Sequence, residues 1–393
     1  MDPQLTTRRE PVEITLDLLY ELLGIERHWE PIVLLRNARA VRGHLPPLVL
    51  SVAQRSGVAM GPGSLAELDR MRRRAATYEA LADELTLIPG TRVLKGPSLA
   101  ARYPEGVLRP LGDLDVVVPD EARLWQAAAR VYAAQPVDGI DITVLGDAGR
   151  RHIALALRWP SEDPMLDPEL KVEISTFAYP GQPGTVPLRA ATPAEQVHAD
   201  LLALAEERFQ RPFTVKDMLD LAVVLTSPDL PSHAEIARTA DDFRLAPELL
   251  ELCEAATGNK SLAPAVPEEL TRALRALAPA EHDRRSTPTT DTDAPDPSAP
   301  AAPHTVGTVR DRLAAGQPVH GMLLELAPTA GPGTEATTED FSTGTQKSST
   351  DPSHTTTGTL LRTPLGVFLL VDGEIVDPAL HEAARTALHK GTS

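Results

Sequence analysis

Residues 113–118, Asp-Leu-Asp-Val-Val-Val, constrain the fold more than any other stretch of this 393-residue chain. Side chains alternate along a strand, so Asp113 and Asp115 share one face while Leu114, Val116 and Val118 share the other. The apolar row requires a core behind it. The two carboxylates repel each other unless a cation sits between them. Mg²⁺ suits such a pair, because it takes oxygen ligands and is often shared with substrate phosphates. Asp291-Thr-Asp293 has the same spacing inside a Pro- and Thr-rich stretch and carries no such meaning, so context decides.

The context of the first pair is specific. Residues 91–94 read as a short strand that runs into Lys95-Gly96, then a short helix over 98–103, then a loop holding Arg109. Gly96 allows close approach of backbone to a ligand. Ser98 falls near a helix N-terminus, where N–H groups and the dipole attract phosphate. Lys95 and Arg109 supply charge to offset a phosphate. Other readings stand beside these: Lys95 as a surface lysine, Ser98 as a helix cap, Arg109 as a salt-bridge partner of Asp113. A two-metal site needs a third carboxylate. In Leu170-Lys-Val-Glu-Ile-Ser-Thr176, alternation places Glu173 opposite the core face, and Asp141 on an earlier strand is the second choice.

The rest of the chain reads as an α+β protein with a mixed sheet flanked by helices. Residues 1–88 are a helical N-terminal part, 89–190 hold the strands of the core, and 191–257 return to helix. Prolines thicken after residue 258. Residues 258–303 therefore read as a disordered linker, with a short helix near 267–277 as its one structured candidate. Residues 304–393 read as a small β-rich appendage interrupted by a disordered insertion at 328–357. Its strands at 320–326 and 358–376 are expected to pair, with Asp372-Gly373 as a hairpin turn.

Composition excludes several classes. A net charge of −17 argues against bulk binding of nucleic acid. The Arg72-Arg73-Arg74 triplet reads as a solvated helix face. One cysteine, Cys253, forms no internal disulfide, and no Cys/His spacing suits zinc. No stretch reaches the roughly 18 apolar residues of a membrane span, so the expectation is a cytoplasmic protein without a membrane partner. His152, on an apolar strand, reads as a structural histidine.

These segments together resemble the polymerase-β-like nucleotidyltransferase superfamily and, within it, the bacterial "uncharacterised nucleotidyltransferase" family. The resemblance rests on Leu94-Lys95-Gly96, Tyr103-Pro104, Arg109-Pro110, Asp113-Leu114-Asp115 and Val172-Glu173-Ile174-Ser175, where Ser175 replaces the family histidine. It continues into Lys216-Asp217-Met-Leu-Asp220-Leu-Ala222 and covers roughly residues 65–226. It implies a mixed sheet with helices, a nucleoside triphosphate donor and a divalent metal, Mg²⁺ or Mn²⁺. It implies no particular acceptor. On this reading Asp113, Asp115 and Glu173 are the catalytic, metal-holding carboxylates. Lys95, Gly96, Ser98, Arg109 and Lys216 bind the triphosphate. The alternative is a nucleotide-binding or scaffold protein that keeps the fold without transfer.

Overall fold

The computed structural model describes residues 10–42, 44–147, 150–286, 306–326, 336–344, 355–373 and 376–390. In chain order, four helices come first: α1 (Leu16–Leu22), α2 (Pro31–Ala40), α3 (Pro46–Arg55) and α4 (Pro62–Thr86). β1 (Arg92–Leu94), α5 (Gly96–Ala100), β2 (Leu114–Val117) and α6 (Glu121–Ala134) follow. Then come β3 (Gly139–Asp147), β4 (Arg150–Trp159) and β5 (Leu170–Ser175). Five helices run next: α7 (Gln196–Glu206), α8 (Val215–Leu225), α9 (His233–Asp242), α10 (Ala246–Thr257) and α11 (Glu268–Ser286). The chain ends with α12 (Val306–Ala314), β6 (Val319–Leu326), β7 (Thr337–Gly344), β8 (Thr355–Thr363), β9 (Gly366–Val371) and α13 (Pro378–Lys390). The protein is α+β, and among the described residues no helix is long and apolar enough to cross a membrane.

The chain divides into two compact units. The first contains Met1–Glu84, Arg92–Asp115 and Ala178–Pro288; the second contains Leu85–Thr91, Val116–Phe177 and Thr289–Ser393. In the first unit, α1 to α4 and α8 share a core that includes Leu19, Leu34, Leu48, Leu68, Tyr103, Leu219 and Ala222. Burying these side chains removes their apolar surface from water, the main favourable contribution to folding.

Residues 258–286 depart from the expected linker. They form a 3₁₀ turn at Ala263–Ala265 and the nineteen-residue α11, which tolerates Pro279 inside it. Leu270, Leu274 and Ala278 line one stripe and are buried. Glu281, buried on the next turn, accepts hydrogen bonds from Arg244 Nε and Arg285 Nε. The short helix read from sequence near 267–277 is its first part; the buried stripe and the arginine partners of Glu281 carry it on to Ser286. The remainder of the expected linker, 287–303, lies outside the described residues.

The expected appendage is corrected in the second unit, where its strands continue the sheet. The strands of that unit lie in the order β2-β5-β4-β3-β6-β9-β8-β7. β3 pairs antiparallel with β4 on one side and β6 on the other, with Ile142 opposite Gly321. β6 pairs with β9, as read from sequence, with His320 opposite Val371. β3 would otherwise leave a row of unpaired backbone groups at an edge, and β6 takes up that row. Helix α13 covers the outer strands: Leu380, Ala384 and Leu388 pack with Phe341, Leu360 and Leu369. The turn between β8 and β9 is Pro364-Leu365, not Asp372-Gly373. It is fixed by the Thr363 hydroxyl, which accepts the N–H groups of Leu365 (3.2 Å) and Gly366 (3.1 Å). Residues 337–344, inside the expected disordered insertion, form β7 and pair with β8. The flanking 327–335 and 345–354 lie outside the described residues.

Gly321 tests this continuity. A Cβ at that position would stand 2.2 Å from Ile142 Cγ2 and 3.2 Å from Phe368 Cβ. Gly321→Ala should therefore cost about 1–3 kcal/mol through overpacking, read as a lower midpoint in thermal or urea unfolding. An unchanged midpoint would mean that β6 does not lie against β3.

Candidate functional site

The sequence-predicted phosphate segment and the aspartate pair meet within the first unit. β1 ends at Leu94, and the chain turns sharply at Lys95, whose backbone stands at φ 54° and ψ −128°. That conformation is rare for a residue with a side chain and costs on the order of 1–3 kcal/mol, so surrounding contacts must hold it. Gly96 follows at φ 41°, in the left-handed region where glycine is favoured. A Cβ there would find space, since its nearest neighbours would be Asp113 O at 3.8 Å and Leu114 Cδ1 at 3.9 Å. The glycine is explained by its backbone angle, not by crowding.

Helix α5 is a single short turn, so little dipole gathers at its start. Any affinity of this loop for phosphate must come from its N–H groups and side chains. Ser98 is not the N-cap; Lys95 is. The Ser98 hydroxyl lies 2.7 Å from both Lys95 O and Asp200 Oδ1.

Asp113 and Asp115 are half-buried, while Leu114 and Val116 between and after them are fully buried. The alternation expected from sequence is present, and Val117 is buried as well. Lys95 Nζ stands 3.4 Å from Asp115 Oδ2 and forms a second ion pair with Glu207. Burial alone would lower the ammonium pKa, but Asp115, Glu207 and Asp113 outweigh it and hold it above the ordinary lysine value. Lys95 is thus a charged side chain beside the aspartate pair and not a loose surface lysine.

Arg109 is buried and makes a two-pronged pair with Asp220: Nε to Oδ1 and Nη2 to Oδ2, each 2.8 Å. Its Nη1 donates to Gly96 O at 3.3 Å. Its salt-bridge partner is therefore Asp220 in α8, not Asp113. Tyr103 donates to Asp220 Oδ1 at 2.6 Å, and Lys216 Nζ lies 3.3 Å from Asp220 Oδ2. Burial would raise the Asp220 carboxyl, but Arg109, Lys216 and Tyr103 hold it well below the usual carboxylate range. Burial, followed by the positive charge of Arg109, lowers Lys216 from the ordinary lysine value. Three of the motifs behind the family resemblance, around Tyr103, Arg109 and Asp220, thus converge in one buried network. Asp217 serves a different end: it closes the capping box of α8 with Thr214 and pairs with Arg211 at 2.6 Å.

Two groups of residues were missed from sequence. Arg74 is buried and donates to Gly112 O at 2.8 Å, beside Tyr78, whose hydroxyl donates to the same carbonyl at 3.0 Å. They fix the backbone just before Asp113, so Arg74 is not part of a solvated face. Asp200 is fully buried in α7, a helix whose other residues are largely apolar. Its Oδ1 accepts from Lys95 N–H (2.9 Å), Gln196 Nε2 (3.0 Å) and the Ser98 hydroxyl. A charge in such an apolar run is the signal by which the sequence could have shown it.

The remaining sequence candidates lie in the second unit. Glu173 sits on β5, where Leu170, Val172 and Ile174 are buried and Lys171, Glu173 and Ser175 point the other way, as expected. Its nearest cation is Lys171 Nζ at 3.4 Å. Asp141 is exposed and paired with Arg158. His152 is buried with its ring edge-on to Phe177, as a structural histidine should be. Among the described residues no three His, Cys, Asp or Glu side chains gather as a metal cage. Asp113 and Asp115 offer two oxygen donors, a set that fits Mg²⁺ when substrate phosphates and water supply the rest.

No protein-family model matches the chain, and no curated protein matches it. Two solved structures from Helicobacter pylori match it in part. JHP933 is 17% identical, and the match covers 54% of this chain and 94% of JHP933 at a TM-score of 0.28. A protein provisionally assigned as a nucleotidyltransferase is 18% identical, with 53% of this chain and 97% of that one covered at a TM-score of 0.29. Likeness at this level assigns no function, and the side-chain geometry of the first unit has to carry the reading.

Proposed function

We propose that this chain is a metal-dependent nucleotidyltransferase that moves a nucleotidyl group from a nucleoside triphosphate to a hydroxyl or phosphate acceptor. The observation that carries the reading is the placement of the Lys95–Ser98 loop against Asp115, with Lys95 Nζ 3.4 Å from its carboxylate. On this reading the triphosphate, received by the loop, and the cation held by the aspartates would meet there. In the reaction an acceptor oxygen attacks the α-phosphorus, the bond to the α,β-bridging oxygen breaks, and pyrophosphate leaves. Bound Mg²⁺ or Mn²⁺ would offset charge on the phosphates and on the leaving group.

The chain's own residues divide the remaining work. Asp113 and Asp115 hold the metal. The Gly96 backbone and Ser98 receive the phosphates, while Lys95 and Lys216 offset their charge. Arg109 acts through Gly96 O, holding the loop and not the ligand. Glu173 keeps its sequence-derived role as third carboxylate and acceptor of the proton, and Glu173→Gln tests it. Catalysis of this kind is mainly positioning and charge stabilisation.

A second reading, a nucleotide-binding protein without transfer, is favoured by one observation: Lys95 is committed to two carboxylates. One experiment separates the two. Purified protein is incubated with Mg²⁺, a cell extract and each α-labelled nucleoside triphosphate in turn. Covalent label on an acceptor supports transfer, whereas tight nucleotide binding without label in any fraction supports the second reading and removes the first.

A further inference from the structure

Asp200 presents a physical problem. It is fully exposed to none of the solvent, it sits among Val197, Leu201, Leu204 and other apolar residues of α7, and its Oδ2 has no hydrogen-bond partner among the described residues. Burial raises its carboxyl above the ordinary value despite the donors it receives. A buried carboxylate with one oxygen unpartnered is costly, and an apolar residue of similar size would suit the helix better. What the residue accomplishes lies entirely at Oδ1. That one oxygen takes the Lys95 N–H at 2.9 Å, the Ser98 hydroxyl at 2.7 Å and Gln196 Nε2 at 3.0 Å. Gln196 in turn donates to Val93 O at 2.7 Å, tying the carboxylate to the end of β1. The two loop contacts bracket the residue with the strained backbone, Lys95 at φ 54°.

We propose that Asp200 is the positioning residue of the phosphate loop: it holds the Lys95 backbone and the Ser98 hydroxyl in the arrangement in which the loop receives a polyphosphate. This rests on the reading of residues 95–98 as a phosphate loop. Without the anchor, Lys95 relaxes out of its left-handed turn. Its ammonium then leaves Asp115, and the Ser98 hydroxyl loses the carboxylate that fixes it.

Inorganic tripolyphosphate with Mg²⁺ is the probe, titrated calorimetrically into the full chain well below its melting temperature. Asp200→Ala should weaken binding by roughly tenfold or more, the loss of charge-assisted contacts to the loop. Asp200→Asn, whose amide oxygen can replace Oδ1, should recover most of that loss. A merely structural Asp200 would lower the melting temperature and leave the affinity of the folded protein unchanged. That result, or an Asn variant no better than Ala, overturns the proposal. If Asp200→Ala does not fold, Gln196→Ala decides, since it leaves Asp200 in place and removes the amide that ties its carboxylate to Val93 O: weaker binding at an unchanged melting temperature supports the proposal, and unchanged binding overturns it. Failure of the unsubstituted protein to bind tripolyphosphate removes the phosphate-loop reading itself, and the positioning role with it. Binding that folded Asp200→Ala retains in full removes the positioning role alone.

Discussion

Arg109→Ala should lower the unfolding free energy by about 3–5 kcal/mol, because it leaves the buried Asp220 carboxylate without its two-pronged partner. Tyr103 and Lys216 remain, but neither matches the planar fork of the guanidinium. Arg109→Lys should therefore rescue only part of the loss. The effect has a pH signature. Burial would raise the Asp220 carboxyl, yet Arg109 first and then Lys216 hold it well below the ordinary range. A carboxyl depressed in the folded state contributes stability that is fully present above its unfolded value, about pH 4, and is lost as pH falls toward the folded value. The gap between the unsubstituted protein and Arg109→Ala should thus be widest near neutrality and narrow below about pH 4. Urea unfolding at several pH values measures it. A loss under about 1 kcal/mol at neutral pH, the size of an exposed pair, would show that this network does not hold the first unit together.

Asp115→Asn should behave in the opposite way, removing transfer while sparing the fold. Asp115 is half-buried, and its partner Lys95 keeps Glu207 when the carboxylate is lost. The stability change should stay within about 1 kcal/mol, as for partly exposed ion pairs. Loss of a metal-holding carboxylate should lower the transfer rate by roughly a hundredfold or more, equivalent to several kcal/mol of charge stabilisation. Label transfer and Mn²⁺ binding followed by electron paramagnetic resonance are measured together. Reduced transfer with reduced Mn²⁺ affinity fits the proposed role. A variant that transfers label normally, or one that melts far lower in the absence of metal, would make Asp115 a structural residue.

Both effects turn on residues whose importance was unequally visible in the sequence. The alternation of Asp113 to Val116 and of Leu170 to Ser175 was legible, because a strand with one buried face imposes a period of two on its residues. The pairing of β6 with β9 was also legible from two apolar runs. Local patterns of this kind record local physics: each residue's face follows from its neighbours along the chain.

Tertiary structure alone decided the rest. Nothing local joins β6 to β3, since open strand edges are satisfied by whichever partner the fold brings near. Helix α11 was legible only in its first part, near 267–277, because its composition resembles a linker; its full length comes from burying Leu270, Leu274 and Ala278 and from the arginines around Glu281. The same holds at the candidate site. Lys95 and Asp200 are 105 residues apart in the chain, and Arg109 and Asp220 are 111 apart. Sequence determined that a Lys95-Gly96 turn follows a short strand and that two carboxylates, Asp113 and Asp115, stand at the start of the next. Which partner each charge takes was decided only when folding desolvated those groups together, because a buried charge must find its counter-charge in space and not along the chain.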